Sequence, residues 1–153
     1  MIDNNSIIDS FQDNYAFLSN FHPHPLTISG VTYPTNEHAF QAAKTTDPQQ
    51  RRYIAEAQAP KAAEQRGREI HLRPGWGAYL RYTVMEYLIG KKFIAESALA
   101  RMLIDTGNAV LIEGNARHDN LWGDCRCGRS SCEPVGANIL GWMLMKRRAE
   151  LMR

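Results

Sequence analysis

The segment that decides the fold runs Tyr33-Pro-Thr-Asn-Glu-His-Ala-Phe-Gln-Ala-Ala-Lys44. Thr35 or Asn36 stands where a helix N-cap is expected, because both side chains can accept a hydrogen bond from the first free backbone amides. A helix is therefore predicted to begin near Glu37. It should end before Asp47-Pro48, since the residue that precedes a proline avoids helical geometry.

This helix carries a row of polar residues. Residues three, four and seven positions apart share one face of a helix, so Glu37, Gln41 and Lys44 are predicted to lie in line. One interpretation is an ordinary solvated face. The other is a site in which a carboxylate and an amine lie a few ångströms apart and shift each other's proton affinity. Spacing alone does not choose between them.

The rest of the chain predicts an α+β fold, a mainly helical single domain over residues 1–153 around a small sheet. A β-hairpin is expected over 26–33, with its turn at Ser29-Gly30. Apolar spacing and end signals predict further helices over 49–58, 60–70, 76–93, 97–105 and 136–151. A short β-branched run predicts a strand over 109–113, and the Gly-, Asn- and Cys-rich stretch 114–135 predicts a loop.

Composition narrows the class of protein. The net charge is only +2, too small to indicate nucleic-acid binding by bulk attraction. Neither a signal-peptide pattern nor an apolar run of membrane-spanning length is visible, so a cytoplasmic location is expected. The three cysteines are odd in number and share one loop, which is poor material for a disulfide framework.

Two stretches offer aromatic and acidic side chains. The loop segment 115–124 places Asp119 and Asp124 on either side of Trp122. Trp122 either anchors the loop to the core or serves as a stacking platform for a flat base. The same two roles, core anchor or stacking platform, are open for Trp76, which stands between two glycines.

Two further features remain open from the residues alone. Cys125, Cys127 and Cys132, with His118 upstream, could supply four zinc ligands, but their spacing matches no standard structural zinc motif. No metal is therefore expected. The predicted helix start at 136 is small and exposed, and free backbone amides at such a start can hold a phosphate.

Taken together, these segments resemble the NADAR superfamily, also called the YbiA-like N-glycosidases. The matching pieces follow the family's order over nearly the whole chain. They are 17–21, 33–44, Trp76 ahead of Met85 and 92–93, 119–124, and 136–141 with 144–145 and Arg148. Five pieces in order are strong evidence, although any one alone is weak.

The resemblance implies a fold like that of this family and cleavage of an N-glycosidic bond at a ribose. The implied substrates are early riboflavin-pathway intermediates, which carry ribose 5-phosphate, or ADP-ribose attached to guanine in nucleic acid. The partner would thus be a nucleotide-type small molecule or ADP-ribosylated nucleic acid. By motif position, the catalytic residues implied are Glu37, Lys44 and Asp124. The substrate-binding residues implied are Asn20, Phe21, Gln41, Trp76, Asp119, Trp122, Gly123 and Asn138.

This sequence departs from the family pattern in two places. Ala137 replaces a basic residue that commonly precedes the asparagine of the last motif, which should weaken phosphate contacts. The cysteine-rich stretch lengthens the loop after Asp124. Neither departure touches Glu37, so its assignment is more secure than that of Asp124.

The implied chemistry suits the residue types and needs no cofactor. Breaking a ribosyl C–N bond builds positive charge on the sugar, which a carboxylate stabilises. Lys44 could attack the sugar C1 and pass through a Schiff base, which is the favoured role, or stay charged and bind phosphate. The main rival is a non-catalytic ADP-ribose-binding module, and a zinc-stabilised interaction domain is more distant.

Overall fold

The computed structural model describes residues 6–132 and 135–153, and their fold is α+β, as predicted. The α-helices are α1 (Asn36–Ala42), α2 (Pro48–Ala55), α3 (Pro60–Glu69), α4 (Arg81–Lys92), α5 (Ala98–Asp105) and α6 (Ile139–Leu151). The strands are β1 (Ile7–Ile8), β2 (Leu26–Ile28), β3 (Val31–Tyr33), β4 (Val110–Leu111), β5 (Gly114–Asn115) and β6 (Asp124–Cys125). None of the described helices is long and apolar enough to cross a membrane.

The strands form three two-stranded sheets in the described residues, where the sequence predicted one small sheet. The predicted hairpin is present, with β2 antiparallel to β3 and Leu26 opposite Tyr33. The other two pairs are parallel: β1 pairs with β4 from far along the chain, and β5 pairs with β6 across the loop between them. Their partners could not be found from local alternation.

Contacts within the chain group it into two compact units. The first, residues 20–92, packs α1 against α2, α3 and α4. Its core includes Phe40, Ile54, Met85 and Leu88, all at most 6% exposed. This unit therefore rests on the helix that the opening segment predicts.

The second unit joins the residues up to 19 to residues 93–153, and it packs α6 against α5 and β4. Leu103, Leu111 and Leu144 are almost completely buried in it. Arg148 is also buried, and its guanidinium donates to Thr106 Oγ1 at 2.7 Å and to the Ala109 carbonyl at 2.9 Å. Those bonds satisfy a charge that would otherwise be costly to bury.

Several predicted elements differ from the observed ones. The helix predicted over 76–93 begins with a π-helical turn, Trp76–Leu80, where the amide of Leu80 bonds to the carbonyl of Gly75. The predicted strand over 109–113 shortens to β4, because the amide of Glu113 bonds to the Asn138 side chain. The predicted loop 114–135 contains β5 and β6, and residues 133–134 of it lie outside the described part.

The last helix begins at Ile139, three residues later than predicted. Asn138, its N-cap, has a φ of 50°, in the left-handed region, so the helix cannot extend back through it. The Asn138 side chain accepts from the amide of Glu113 and donates to the carbonyl of Leu111. This local tie explains why a continuous helical pattern misplaced the start.

Candidate functional site

Helix α1 places its carboxylate in the interior of the first unit. Glu37 is 9% exposed and Gln41 is 4% exposed. The Gln41 side-chain amide donates to Glu37 Oε1 at 2.6 Å. Glu37 and Gln41 are therefore buried, which excludes the interpretation of this row as an ordinary solvated face.

Local bonds hold this helix start in place. Thr35 is the N-cap, and its hydroxyl accepts from the amide of His38. The His38 ring bridges the Thr35 hydroxyl and the carbonyl of Ala57. The amide of Glu37 donates to the carbonyl of Asn20 at 3.0 Å. The backbone of the carboxylate is thus anchored at the start of α1.

Helix α3 packs directly on the Gln41 side chain at Gly67. A methyl group added at Gly67 would overlap the amide group of Gln41. Among the buried side-chain atoms of the described residues, Gln41 Oε1 is one of four without a hydrogen-bond partner. Since unpaired buried carbonyls are uncommon, this oxygen is a candidate acceptor for a donor that the protein itself does not supply.

Lys44 lies just beyond the helix that was predicted to include it. Helix α1 ends at Ala42, and the amide of Lys44 bonds to the carbonyl of Gln41 in the following turn. The side chain is half-buried, and this burial lowers the pKa of Lys44 below that of a free lysine. Glu37 and Glu64 act in the opposite direction. Lys44 is thus a partly desolvated amine near the Glu37 carboxylate.

Aromatic packing accompanies this row. Trp76 is 5% exposed, and its ring lies 5.2 Å from that of Phe40, between centroids, at a tilt of 54°. Asn20 and Phe21 are half-buried, and the Asn20 amide donates to Met85 Sδ at 3.4 Å. For Trp76, burial in the core is the observed environment, so it is better suited to shape the site than to offer an open stacking face.

A cavity of about 370 Å³ lies in the same unit and was not predicted. Tyr33, Arg51, Arg73 and Tyr87 are among the residues that line it, and Arg73 donates its amide to the carbonyl of Lys44. Guanidinium groups in a concave surface suit phosphate or carboxylate groups. Scattered arginines without a motif gave no signal for it in the sequence.

In the second unit, the loop 115–124 is organised by its own side chains. Asp119 Oδ1 accepts from the amides of Leu121 and Trp122, at 3.0 and 2.9 Å. This is an Asx-type turn, and it fixes the backbone on which Trp122 stands. The Trp122 side chain is half-buried, so part of it remains accessible to a ligand.

The amides at the start of α6 are already bonded within the protein. Those of residues 137–140 donate to carbonyls of residues 120–123, and that of Gly136 donates to Asp124 Oδ1 at 2.9 Å. These amides are therefore not free to hold a phosphate, a possibility that the sequence had left open. The loop 115–124 occupies the place that an anion would take.

Three predicted site residues take part in this packing. Asp124 also lies 3.4 Å from the Arg126 guanidinium through its second oxygen. Asn138 has its amide nitrogen and oxygen both bonded to backbone. Gly123 is buried where a methyl group would overlap Glu113. Their predicted contacts with substrate stay predictions.

One acidic residue was missed by sequence reasoning. The pKa of Glu113 is raised to about 7, mainly by burial and less by the nearby Asp119, against the opposing effect of Arg117. Its carboxylate bonds to Arg117 at 2.8 Å and to Asn115 at 3.1 Å. A carboxyl group that titrates near neutrality is suited to proton transfer. The only available signal was an acidic residue at the end of an apolar strand.

The loop also brings four metal-ligating side chains together. We call them the thiol–imidazole cluster, which consists of His118, Cys125, Cys127 and Cys132. Their ligand atoms all lie within 4.8 Å of one another. No disulfide joins the cysteines. The fold thus assembles a donor set that the irregular spacing had argued against.

Comparison with known proteins decides the family. A family model described as the NADAR domain matches residues 8–152. The chain belongs to the NADAR domain family. The match covers both units and every predicted site residue.

Named relatives of this NADAR protein agree. It is 35% identical over 144 residues to N-glycosidase YbiA of Escherichia coli, which is 93% of this chain and 85% of that protein. It is 32% identical over 142 residues to an N-glycosidase of Nostoc punctiforme, covering 90% and 86%. A riboflavin biosynthesis protein of Vibrio vulnificus is 34% identical over 141 residues, which are 91% of this chain and 36% of that protein.

A solved structure agrees as well. The NMR structure of the Escherichia coli protein YbiA matches with a TM-score of 0.78 and 34% identity. The match covers 99% of this chain and 87% of the other. The family and α+β fold inferred from the sequence are therefore confirmed.

Proposed function

We propose that this NADAR protein hydrolyses the N-glycosidic bond between a ribose and a nucleobase or amine. The observation that carries the proposal is the buried Glu37–Gln41 pair, with the half-buried amine of Lys44 beside it. Burying a carboxylate is costly, and a protein that only reads phosphate has little use for one. The names of the N-glycosidase relatives support the same activity.

Glu37 is proposed to stabilise the sugar cation. As the C1–N bond stretches, positive charge develops on C1 and the ring oxygen. A carboxylate held by a hydrogen bond in a water-poor site stabilises that charge without having to reorganise. Gln41 holds Oε1 of Glu37, so its proposed role is to fix the orientation of the carboxylate.

Lys44 is proposed to act as the nucleophile. The neutral Nζ would form a bond to C1 while the C1–N bond to the base breaks, and the proton that Nζ then loses would pass to the departing nitrogen. The ribosyl-lysine would open to a Schiff base, and water would hydrolyse it to the free sugar and the original Lys44 amine. The lowered pKa of Lys44 favours this role, because only the neutral amine attacks. In the alternative role, the charged side chain binds the substrate phosphate.

Motif positions assign further roles. Asp124 is proposed as a third catalytic group, Trp122 as the aromatic contact for the base, and Trp76 as the buried ring that shapes the substrate pocket. The remaining proposed substrate contacts are Asn20, Phe21, Gln41, Asp119, Gly123 and Asn138. We also propose that residues 1–153 act as one NADAR domain in the cytoplasm.

Two substrate classes fit this proposal. One is a riboflavin-pathway intermediate with ribose 5-phosphate on an amino-pyrimidine, and the name of the Vibrio vulnificus relative favours it. The other is ADP-ribose attached to guanine in nucleic acid. Both substrates contain a ribosyl C–N bond. The net charge of +2 gives no general preference for nucleic acid.

The test is to incubate the protein separately with each substrate class and to follow release of the base or amine by chromatography and mass spectrometry. Release from at least one substrate is expected, together with a matching amount of free ribose product. Tight binding of ADP-ribose without release from either substrate would contradict the proposal and favour a binding module.

A further inference from the structure

The thiol–imidazole cluster has the geometry of a tetrahedral metal site. His118 Nδ1 lies 3.2 Å from Cys132 Sγ, 3.4 Å from Cys127 Sγ and 4.0 Å from Cys125 Sγ. With Zn–S bonds of about 2.3 Å and Zn–N bonds of about 2.0–2.1 Å, tetrahedral ligands stand roughly 3.5–3.8 Å apart. The three separations between His118 and the cysteines therefore bracket that of bound zinc, and all four ligand atoms lie within 4.8 Å of one another.

The surrounding backbone holds these ligands in position. The side-chain oxygen of Asn120 accepts from the amide of Cys125, and its nitrogen donates to the carbonyl of Cys132, both at 2.8 Å. His118 has a φ of 63°, an uncommon conformation for a residue with a side chain. Supporting bonds of this kind are typical of metal sites, where they orient the ligands.

The donor set also identifies the metal and its role. Three thiolates and one imidazole form a Cys₃His set, which selects zinc among the common divalent ions. Four protein ligands fill the coordination sphere and leave no position for water or substrate. A site of this kind stabilises a fold and does not take part in the chemistry.

We propose that the thiol–imidazole cluster binds one structural Zn²⁺ ion. The ion would tie together residues 118–132, the loop that also carries Asp119, Trp122 and Asp124. The same loop supplies the carbonyls that bond the amides at the start of α6. Zinc would thus stabilise loop and helix start together. This replaces the expectation that the protein binds no metal, and it does not depend on the proposed N-glycosidase activity.

The test measures metal directly on the full chain. Protein expressed with zinc and purified under reducing conditions should carry about one zinc per chain by elemental analysis. Replacement of the zinc by Co²⁺ should give visible d–d bands of tetrahedral intensity and a near-ultraviolet thiolate-to-cobalt band. Every cysteine of the chain belongs to the cluster, so a thiol reagent should react with all three only after a chelator is added.

Two variants and a control assign the ligands. His118→Ala and Cys127→Ser should each weaken zinc binding at least about 10-fold, since each removes one ligand. His71→Ala, which changes an exposed histidine of the first unit, should bind zinc like the unchanged protein. If a variant does not fold, the cobalt spectrum and thiol titration of the unchanged chain still decide. Less than about 0.1 zinc per chain with reduced thiols, and no thiolate–cobalt band, would overturn the proposal.

Discussion

The polar row of α1 and the loop 115–124 reach their geometry in different ways. In α1, Glu37 and Gln41 meet because helical spacing puts residues four apart on one face. In the loop, Asp119 accepts from the nearby amides of Leu121 and Trp122, and Asp124 accepts from the amide of Gly136, outside the loop. Which side chains meet on a helix can thus be predicted from the spacing of residues. In a loop, the same question depends on hydrogen bonds that the spacing does not predict.

The largest effect is expected at Lys44 and tests whether the helical region supplies the nucleophile. Lys44→Ala should lower the turnover rate roughly 10³-fold or more, as loss of a nucleophile does. In the covalent role, Lys44→Arg fails equally, because a guanidinium is not a usable nucleophile near neutral pH. Borohydride added during turnover should trap a sugar adduct on Lys44, detected by intact mass. An active Lys44→Arg variant without any trapped adduct would contradict the covalent role and show that only the positive charge of Lys44 matters.

Substitutions of Trp76 and Trp122 should affect different properties, stability for Trp76 and substrate binding for Trp122. Trp76→Ala should destabilise the fold by about 3–5 kcal/mol, because the ring is buried against Phe40. Trp122→Ala should instead weaken substrate binding by about 1–3 kcal/mol, the usual value of base stacking, with a smaller change in stability. The measurements are chemical unfolding and substrate titration.

Trp142→Ala is the matched control for both substitutions. Its side chain is 63% exposed, so stability should stay within about 0.5 kcal/mol of the unchanged protein. Unaltered substrate affinity in a destabilised Trp122→Ala variant would show that Trp122 only anchors the loop.

Substitutions at two helical glycines, Gly67 and Gly90, test whether the packing of α3 on Gln41 matters for activity. Gly67→Ala should cost about 1–3 kcal/mol and lower turnover, because the new methyl group displaces the Gln41 side chain that holds Glu37. Gly90→Ala, where a methyl group meets open space, should stabilise the protein by up to about 1 kcal/mol. Thermal unfolding and turnover are measured for both. Equal effects of the two substitutions would show that the contact between Gly67 and Gln41 is unimportant.

Two ionisable groups, the buried Lys92 of the first unit and the half-buried Glu113 of the second, should make stability depend on pH in opposite directions. Burial lowers the pKa of Lys92 to about 7, so the charged form costs stability below pH 7 and this cost disappears as pH rises toward 10.5. The pKa of Glu113 is raised to about 7, so its contribution is full below about pH 4.5 and is lost as pH rises to 7. Each slope can reach about 1.4 kcal/mol per pH unit.

Urea unfolding between pH 5 and 9 checks these slopes. Lys92→Met should flatten the rise in stability above pH 7, and Glu113→Gln should flatten the fall below it. Unchanged slopes in both variants would mean that neither group titrates near neutrality in the folded protein.

The fold was largely accessible from the sequence where structure is local. The hairpin, the Thr35 cap and the end of α5 at Asp105 follow from turn, cap and stop signals, and the structure confirms them. The β1–β4 pair and the late start of α6 could not be predicted, because they depend on hydrogen bonds between residues that are distant in the sequence. Local pattern carries no information about such partners.

The candidate site divides in the same way. The link between Glu37 and Gln41 was predicted from helical spacing, but their burial was not, because it depends on what packs against the helix. The thiol–imidazole cluster was discounted on spacing, since a loop can bring unevenly spaced ligands together when other bonds set its path. Glu113 was missed because its raised pKa comes from burial.

The most direct test of the central claim is the rate of base release by Glu37→Gln, measured in single-turnover reactions with the substrate that the unchanged protein cleaves. The control is Glu69→Gln, which changes an exposed carboxylate at the end of α3. Glu37→Gln should fold normally and lose about 10²-fold or more in rate, because its neutral amide no longer stabilises the sugar cation, while Glu69→Gln keeps full activity. Near-normal release by a folded Glu37→Gln variant would contradict the account.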